Sequence, residues 1–191
     1  MRSSYIENNY GSVFKSIILI NKPKRIIEFG ILDGYTTYNI AESLKFNKEK
    51  YNIDCKFESY DIFDDYEYNH GDIKEVKNML NCKGLHDYVY LSYGDIFKIH
   101  KKIKENSVDL LFIDISNDGD IIKKAIELWN NKIKGMIVIE GGSKYRDEIE
   151  WMRKYNKKPI NPILEYNEFI NENYNWIIFD PFPSITLLMK K

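Results

Sequence analysis

The 191-residue sequence predicts an α/β fold: a doubly wound, seven-stranded sheet, mostly parallel, with helices on both faces and an antiparallel hairpin at its C-terminal end. Three observations predict it. Apolar runs of strand length alternate with amphipathic stretches of helix length, as in repeated strand–helix–strand units. Runs such as "LLFI" and "MIVI" carry no polar alternation, which fits strands buried on both faces. The last two apolar runs, "NWIIFD" and "SITLLMK", are joined only by "PFPS". A parallel pair needs a crossover of roughly a dozen residues or more, so these two must pair antiparallel.

The elements follow in order. The N-terminal patch "VFKSIILI" reads as part of a lead-in helix over residues 1–22, with Ile17, Ile18 and Ile20 in its packing face. Strands are expected in "RIIEFG", "KFESYD", "DYVYLSY", "VDLLFID" and "GMIVIE". The helices between them lie in "YTTYNIAESLKF", "GDIKEVKNMLNC", "IFKIHKKIKE" and "GDIIKKAIELWNN", each with apolar residues three and four apart. One more helix, "KYRDEIEWMRKYN", precedes the hairpin, giving six strands in one direction and the last reversed. No Pro/Gly/Ser-rich linker or internal repeat divides the chain, so residues 1–191 read as a single domain.

Charge and composition exclude several classes of function. A net charge of -1 provides no global field for nucleic acid or an anionic membrane. The 15 tyrosines are not interleaved with basic residues in any RNA-binding pattern, so no nucleic-acid partner is expected. Lys15 interrupts the N-terminal apolar patch, which is too short and too charged for a membrane span. No cleavage-site pattern follows it, and a cytoplasmic protein is the expectation. Two cysteines, Cys55 and Cys82, give neither a disulfide framework nor a zinc site and are expected as small buried hydrophobes.

The chemistry should lie just beyond the strand ends, where ligands of doubly wound sheets bind. The first strand ends in Glu28-Phe29-Gly30, and Gly34 opens the helix that follows. Leu32 stands where a dinucleotide fingerprint has its second glycine, which argues against NAD or FAD; a phosphate loop is absent too. The second strand ends at Asp61, the third is followed by Gly94-Asp95-Ile96, the fourth ends at Asp114 and the fifth at Glu140. Such a carboxylate rim suits a cationic or hydroxyl-rich ligand and repels a polyphosphate. Taken singly, each acid serves equally well as a cap for the next helix.

"EFGILDG", followed by Asp61, "GDI", "FID" and a terminal hairpin, resembles the class I S-adenosylmethionine-dependent methyltransferases, a Rossmann-like family. The match is closest to a small bacterial group whose first motif reads E-x-G-x-x-x-G-x-[ST], and it runs from about Tyr5 to the C-terminal end. The resemblance implies S-adenosylmethionine as cofactor. Glu28, Phe29, Gly30 and Gly34 then form the cofactor loop, and Thr36 fills the family's hydroxyl position. Asp61 with Ile62 matches the ribose side, Gly94, Asp95 and Ile96 border the adenine, and Asp114 closes the cofactor set.

Methyl transfer to a hydroxyl or ammonium needs a proton acceptor. Asp114 is the expected general base, with Glu140 as second candidate; His70, His86 and His100 read as solvated surface residues. Some relatives bind a divalent cation through "D-G-D-H" after the fourth strand. Here Ile115, Ser116 and Asn117 follow Asp114, so the histidine is missing. Asp118, Asp120 and Glu140 offer oxygens, but Asp118 is equally placed to cap the next helix; a divalent metal is not favoured and no metal ligand is assigned.

On the acceptor side stand Tyr35, Ser143, Lys144 and Asp180, with Arg146 and Phe182 nearby. The expected acceptor is a small molecule methylated at oxygen or nitrogen and bearing a carboxylate or phosphate. So compact a chain leaves a wide cleft that a second subunit would cover, hence the expectation of a homodimer. Two alternatives stand beside this reading: a cofactor-binding protein without transferase activity, and a nucleotide-linked oxidoreductase.

Overall fold

The computed structural model describes residues 3–68 and 70–191, so Met1 and Arg2 of the expected lead-in segment, and Asn69, lie outside the described residues. Seven strands form the sheet: β1 Arg25–Phe29, β2 Lys56–Asp61, β3 Tyr90–Tyr93, β4 Val108–Ile113, β5 Ile133–Glu140, β6 Tyr174–Phe179 and β7 Ile185–Lys190. Their order is β3-β2-β1-β4-β5-β7-β6. The chain divides into two compact units, Met1–Asp95 and Ile96–Lys191.

In the first unit, helices α1 Tyr10–Asn21, α2 Tyr35–Tyr51 and α3 Ile73–Cys82 alternate with three parallel strands, β1 pairing with β2 and β2 with β3. α1 ends at Lys22 and α2 at Asn52, each with a left-handed backbone (φ 47° and 52°) that turns the chain out of the helix. Tyr10, Phe14, Ile17 and Ile18 form the buried face of α1. Ile20, expected to pack with them, is 78% exposed, because it lies about 200° around the helix from Ile18. Ile26, Ile27 and Phe29 of β1 and Ile40, Ala41 and Leu44 of α2 are buried, and each large apolar side chain so withdrawn contributes roughly 2 kcal/mol.

The second unit contains α4 Ile96–Ile99, α5 Gly119–Trp129, α6 Lys144–Asp147, α7 Glu150–Lys154, α8 Asn161–Tyr166 and α9 Glu168–Asn173. β4 runs parallel to β5, β7 antiparallel to both β5 and β6, so β7 is the one reversed strand and sits between its neighbours. The inner face of α5 (Ile122, Ala125, Ile126, Trp129) is buried.

Three segments depart from the sequence expectation. "IFKIHKKIKE" makes a single turn of α-helix, followed by a 3-10 turn at His100–Lys102; the Trp129 indole N–H donates to the Ile96 carbonyl at 3.2 Å and fixes the turn's start. "KYRDEIEWMRKYN" breaks into α6 and α7, because Ile149 is extended (φ -62°, ψ 151°). α8 and α9 were not expected, although Pro162 at the start of one and the Asn167 cap of the other are ordinary start signals. The cysteines are corrected as well: Cys55 is half-buried and Cys82 exposed, since Cys82 falls on the solvent side of α3, opposite Val76 and Leu80.

Candidate active site

In the first unit the turn between β1 and α2 is built on three left-handed residues, Gly30 (φ 94°), Leu32 (φ 48°) and Gly34 (φ 80°). Leu32, the departure from the dinucleotide fingerprint, therefore keeps a glycine-like backbone at a cost of about 1 kcal/mol. Asp61 at the end of β2 holds the turn. One carboxylate oxygen accepts the N–H groups of Ile31 (2.6 Å) and Leu32 (3.3 Å), and the other accepts that of Phe63 (2.7 Å). Gly94 donates its N–H to the Asp61 carbonyl at 2.9 Å, so the ends of β1, β2 and β3 share one rim. Gly71 lies against the same turn: a Cβ there would run into the Leu32 carbonyl oxygen.

Glu28 is buried beneath the turn, 1% exposed. Register places it opposite Ser59, whose hydroxyl donates to Oε2 at 2.5 Å, while the Thr37 hydroxyl donates to the same oxygen at 2.7 Å. Oε1 has no hydrogen-bond partner among the described residues. Loss of solvent pushes the carboxyl up to about 7, against the two hydroxyl donors and with a smaller push from the Asp61 charge. The hydroxyl that meets Glu28 is thus that of Thr37, while Thr36 is half-buried one position earlier. The buried phase of α2 (positions 37, 40, 41 and 44) was the signal available for Thr37, and the strand register that for Ser59.

Phe29 is buried, and Ile62 and Asp95 are half-buried at the same rim. Tyr35 is turned to the N-terminal segment: its hydroxyl accepts the Gly11 N–H at 3.1 Å and its ring stacks on Tyr5.

In the second unit, Ile113 pairs with Ile139, which sets Asp114 and Glu140 side by side beyond adjacent strand ends. Ile185 pairs with both Glu140 and Phe179, which carries the row on towards Asp180. Gly141 and Gly142 (φ 87° and 105°) then lie against the start of β7. The Thr186 hydroxyl donates to the Gly141 carbonyl at 2.8 Å, and Asn161 donates to that of Gly142 at 2.8 Å. Ser143 caps α6, accepting the Arg146 N–H at 3.1 Å.

Arg146 is the residue that sequence reasoning undervalued. It is 5% exposed, with Nη2 3.7 Å from Glu140 Oε1 and its guanidinium over the Phe182 ring at 5.6 Å. Lys144, by contrast, is exposed and paired with Glu165 at 3.0 Å. Lys144, Tyr145, Asn161, Asp180, Pro181 and Phe182 line an open cleft of about 650 Å³. Asp118 caps α5 through the Asp120 N–H and accepts the Lys158 N–H, and no group of three His, Cys, Asp or Glu side chains among the described residues could hold a metal ion. His70 and His86 are exposed, while His100 is half-buried.

Residues 27–140 match the family model described as a methyltransferase domain. The chain belongs to the methyltransferase domain family. No curated protein matches this methyltransferase-family chain by sequence. Solved structures match its fold over nearly all its length. The SAH-bound methyltransferase PaMTH1 of Podospora anserina superposes with a TM-score of 0.69 at 17% identity, covering 95% of this chain and 77% of that one. The O-methyltransferase TomG of Streptomyces achromogenes, involved in tomaymycin synthesis and solved with SAM, gives 0.67 at 13% identity, covering 96% and 80%. An O-methyltransferase from Bacillus cereus in complex with SAH gives 0.63 at 16% identity, covering 96% and 81%. The seven-stranded, mostly parallel sheet with its terminal hairpin is the Rossmann-like fold of class I methyltransferases. No helix of the described residues is long and apolar enough to cross a membrane.

Proposed function

We propose that the chain, acting as one domain over residues 1–191, transfers a methyl group from S-adenosylmethionine to an oxygen or nitrogen of a small-molecule acceptor. The observation that carries this reading is the turn from Gly30 to Gly34, left-handed at three positions and clasped by Asp61, inside the stretch that matches the methyltransferase model. The SAM or SAH bound in the similar solved structures supports the cofactor.

S-adenosylmethionine supplies a methyl group on a sulfonium, an excellent leaving group. The protein must bind, orient and exclude water. Gly30 and Gly34 leave the backbone approachable, and Glu28 fixes the strand beneath them. Asp61 keeps lone pairs beyond its three backbone contacts and can accept ribose hydroxyls. Gly94, Asp95 and Ile96 are assigned to the adenine. Asp114 takes the acceptor's proton, and Glu140 serves as counter-charge to Arg146. A divalent cation has no part in this reading.

Calorimetric titration with S-adenosylmethionine, S-adenosylhomocysteine and NAD tests it. Micromolar or tighter binding of the two adenosyl compounds, about -8 kcal/mol, with none of NAD, is expected. Binding of NAD alone, or of none of the three, overturns it.

A further inference from the structure

Arg146 lies under the cleft wall with hydrogen-bonding capacity that nothing in its surroundings uses. Nε and Nη1 are buried and have no partner among the described residues, and the Glu140 oxygen, 3.7 Å from Nη2, lies beyond hydrogen-bond reach. Buried guanidinium donors are ordinarily all satisfied, and a free guanidinium N–H makes a charge-assisted hydrogen bond to a carboxylate oxygen. Glu140 and Asp147 balance the Arg146 charge, but neither takes up the two buried N–H groups. The Arg146 backbone is fixed by the Ser143 cap, and the next residue, Asp147, is held by the N–H groups of Ile160 (3.0 Å) and Asn161 (2.7 Å), so α6 would be equally well held around an apolar side chain.

The way from the cleft to Arg146 is Phe182, which lines the cleft and carries the guanidinium on its ring. The other charges facing the cleft are weaker selectors. Lys144 is exposed and neutralised by Glu165, and Asp180 is exposed and screened by solvent. Tyr145, Pro181 and Phe182 place three rings around the cleft.

We infer that the cleft between α6 and the β6–β7 turn is the acceptor subsite for a planar aromatic carboxylate, with the free N–H groups of Arg146 as its specificity-determining donors once the Phe182 ring turns aside. Its role in methyl transfer rests on the methyltransferase reading; the anion subsite itself does not.

The test pairs 4-hydroxybenzoate and 3,4-dihydroxybenzoate with their uncharged carboxamides, titrated into the full chain. The carboxylates are expected to bind at least about tenfold tighter than the amides. Arg146→Gln removes that preference, while Lys144→Ala changes it less than about threefold. In the unmodified protein, the Arg146 Nε–H resonance shifts with the carboxylate and not with the amide, a readout that survives should the variant fail to fold. Equal binding within each pair, no binding of either member, or a preference that persists in Arg146→Gln overturns the inference. A carboxylate preference without S-adenosylhomocysteine binding keeps the subsite and overturns the methyltransferase reading. S-adenosylhomocysteine binding without the preference does the reverse.

Discussion

The Asp61 carboxylate accepts the Ile31 N–H at 2.6 Å, so the last residue of β2 fastens the turn that follows β1. Asp61→Ala leaves three backbone donors without this acceptor and is expected to cost about 2 kcal/mol. Affinity for S-adenosylhomocysteine should fall at least about tenfold in the same variant, since the binding turn loses its clasp. Urea unfolding and titration together check this. Unchanged stability with weakened binding would assign Asp61 to the ligand alone.

Glu28 sets a pH dependence of stability. Its carboxyl is raised to about 7 in the fold, whereas in the unfolded chain it ionises near its ordinary value. The fold therefore holds a proton that the unfolded chain has released, and its stabilising effect, complete below about pH 4.5, is lost as pH rises through about 7. The expected loss is about 3 kcal/mol across that window. Glu28→Gln should flatten the curve, read as urea midpoints at about pH 5 and about pH 8. An unchanged slope would move its source to another group.

The turn's left-handed residues should respond in opposite senses. Leu32→Gly relieves a strained φ of 48° and is expected to be neutral or to stabilise by up to about 1 kcal/mol. Gly34→Ala imposes a φ of 80° on a residue with a Cβ and sets that carbon 2.9 Å from Val76 Cγ1, so a loss of about 2 kcal/mol is expected. Thermal unfolding of the two variants distinguishes them by sign.

Gly71→Ala is expected to be the most damaging small change near the turn, because its new methyl would overlap the Leu32 carbonyl, a backbone atom that cannot rotate away. Faster limited proteolysis around residues 70–72 should accompany a fall in melting temperature. A native proteolysis pattern would show that the segment is not pressed on Leu32.

Tyr35→Phe removes the acceptor of the Gly11 N–H and is expected to cost about 1 kcal/mol. If fastening α1 is its task, turnover and the acceptor's Michaelis constant stay unchanged. A raised Michaelis constant with unchanged stability would return Tyr35 to the acceptor side.

Much of the fold was legible because burial on both faces leaves uninterrupted apolar runs, and because only five residues, 180–184, separate β6 from β7, too few for a crossover. The breaks were less legible. Ile149 turns extended within an unbroken helical period, and the cause is distant: the Asp147 carboxylate is held by the backbone of residues 160 and 161. At the turn, the sequence marked Glu28, Gly30 and Gly34, but which hydroxyl would reach Glu28 depended on the phase of α2, which favours Thr37 over Thr36. Arg146 read as one more surface cation, because only packing against Phe182 and the Gly141–Gly142 bend draws it inside.

The position of β7 has a consequence for how the protein is made. Chains fold as they emerge from the ribosome, earlier segments first. β5 presents a bare edge when it is synthesised, and β6, made next, cannot cover it, because the place beside β5 belongs to residues 185–190. Ile177 and its strand can join the sheet only through those residues. The second half of the sheet thus waits on residues 185–190, and a nascent chain stalled before Ile185 would hold β5 with one side uncovered and β6 without a partner.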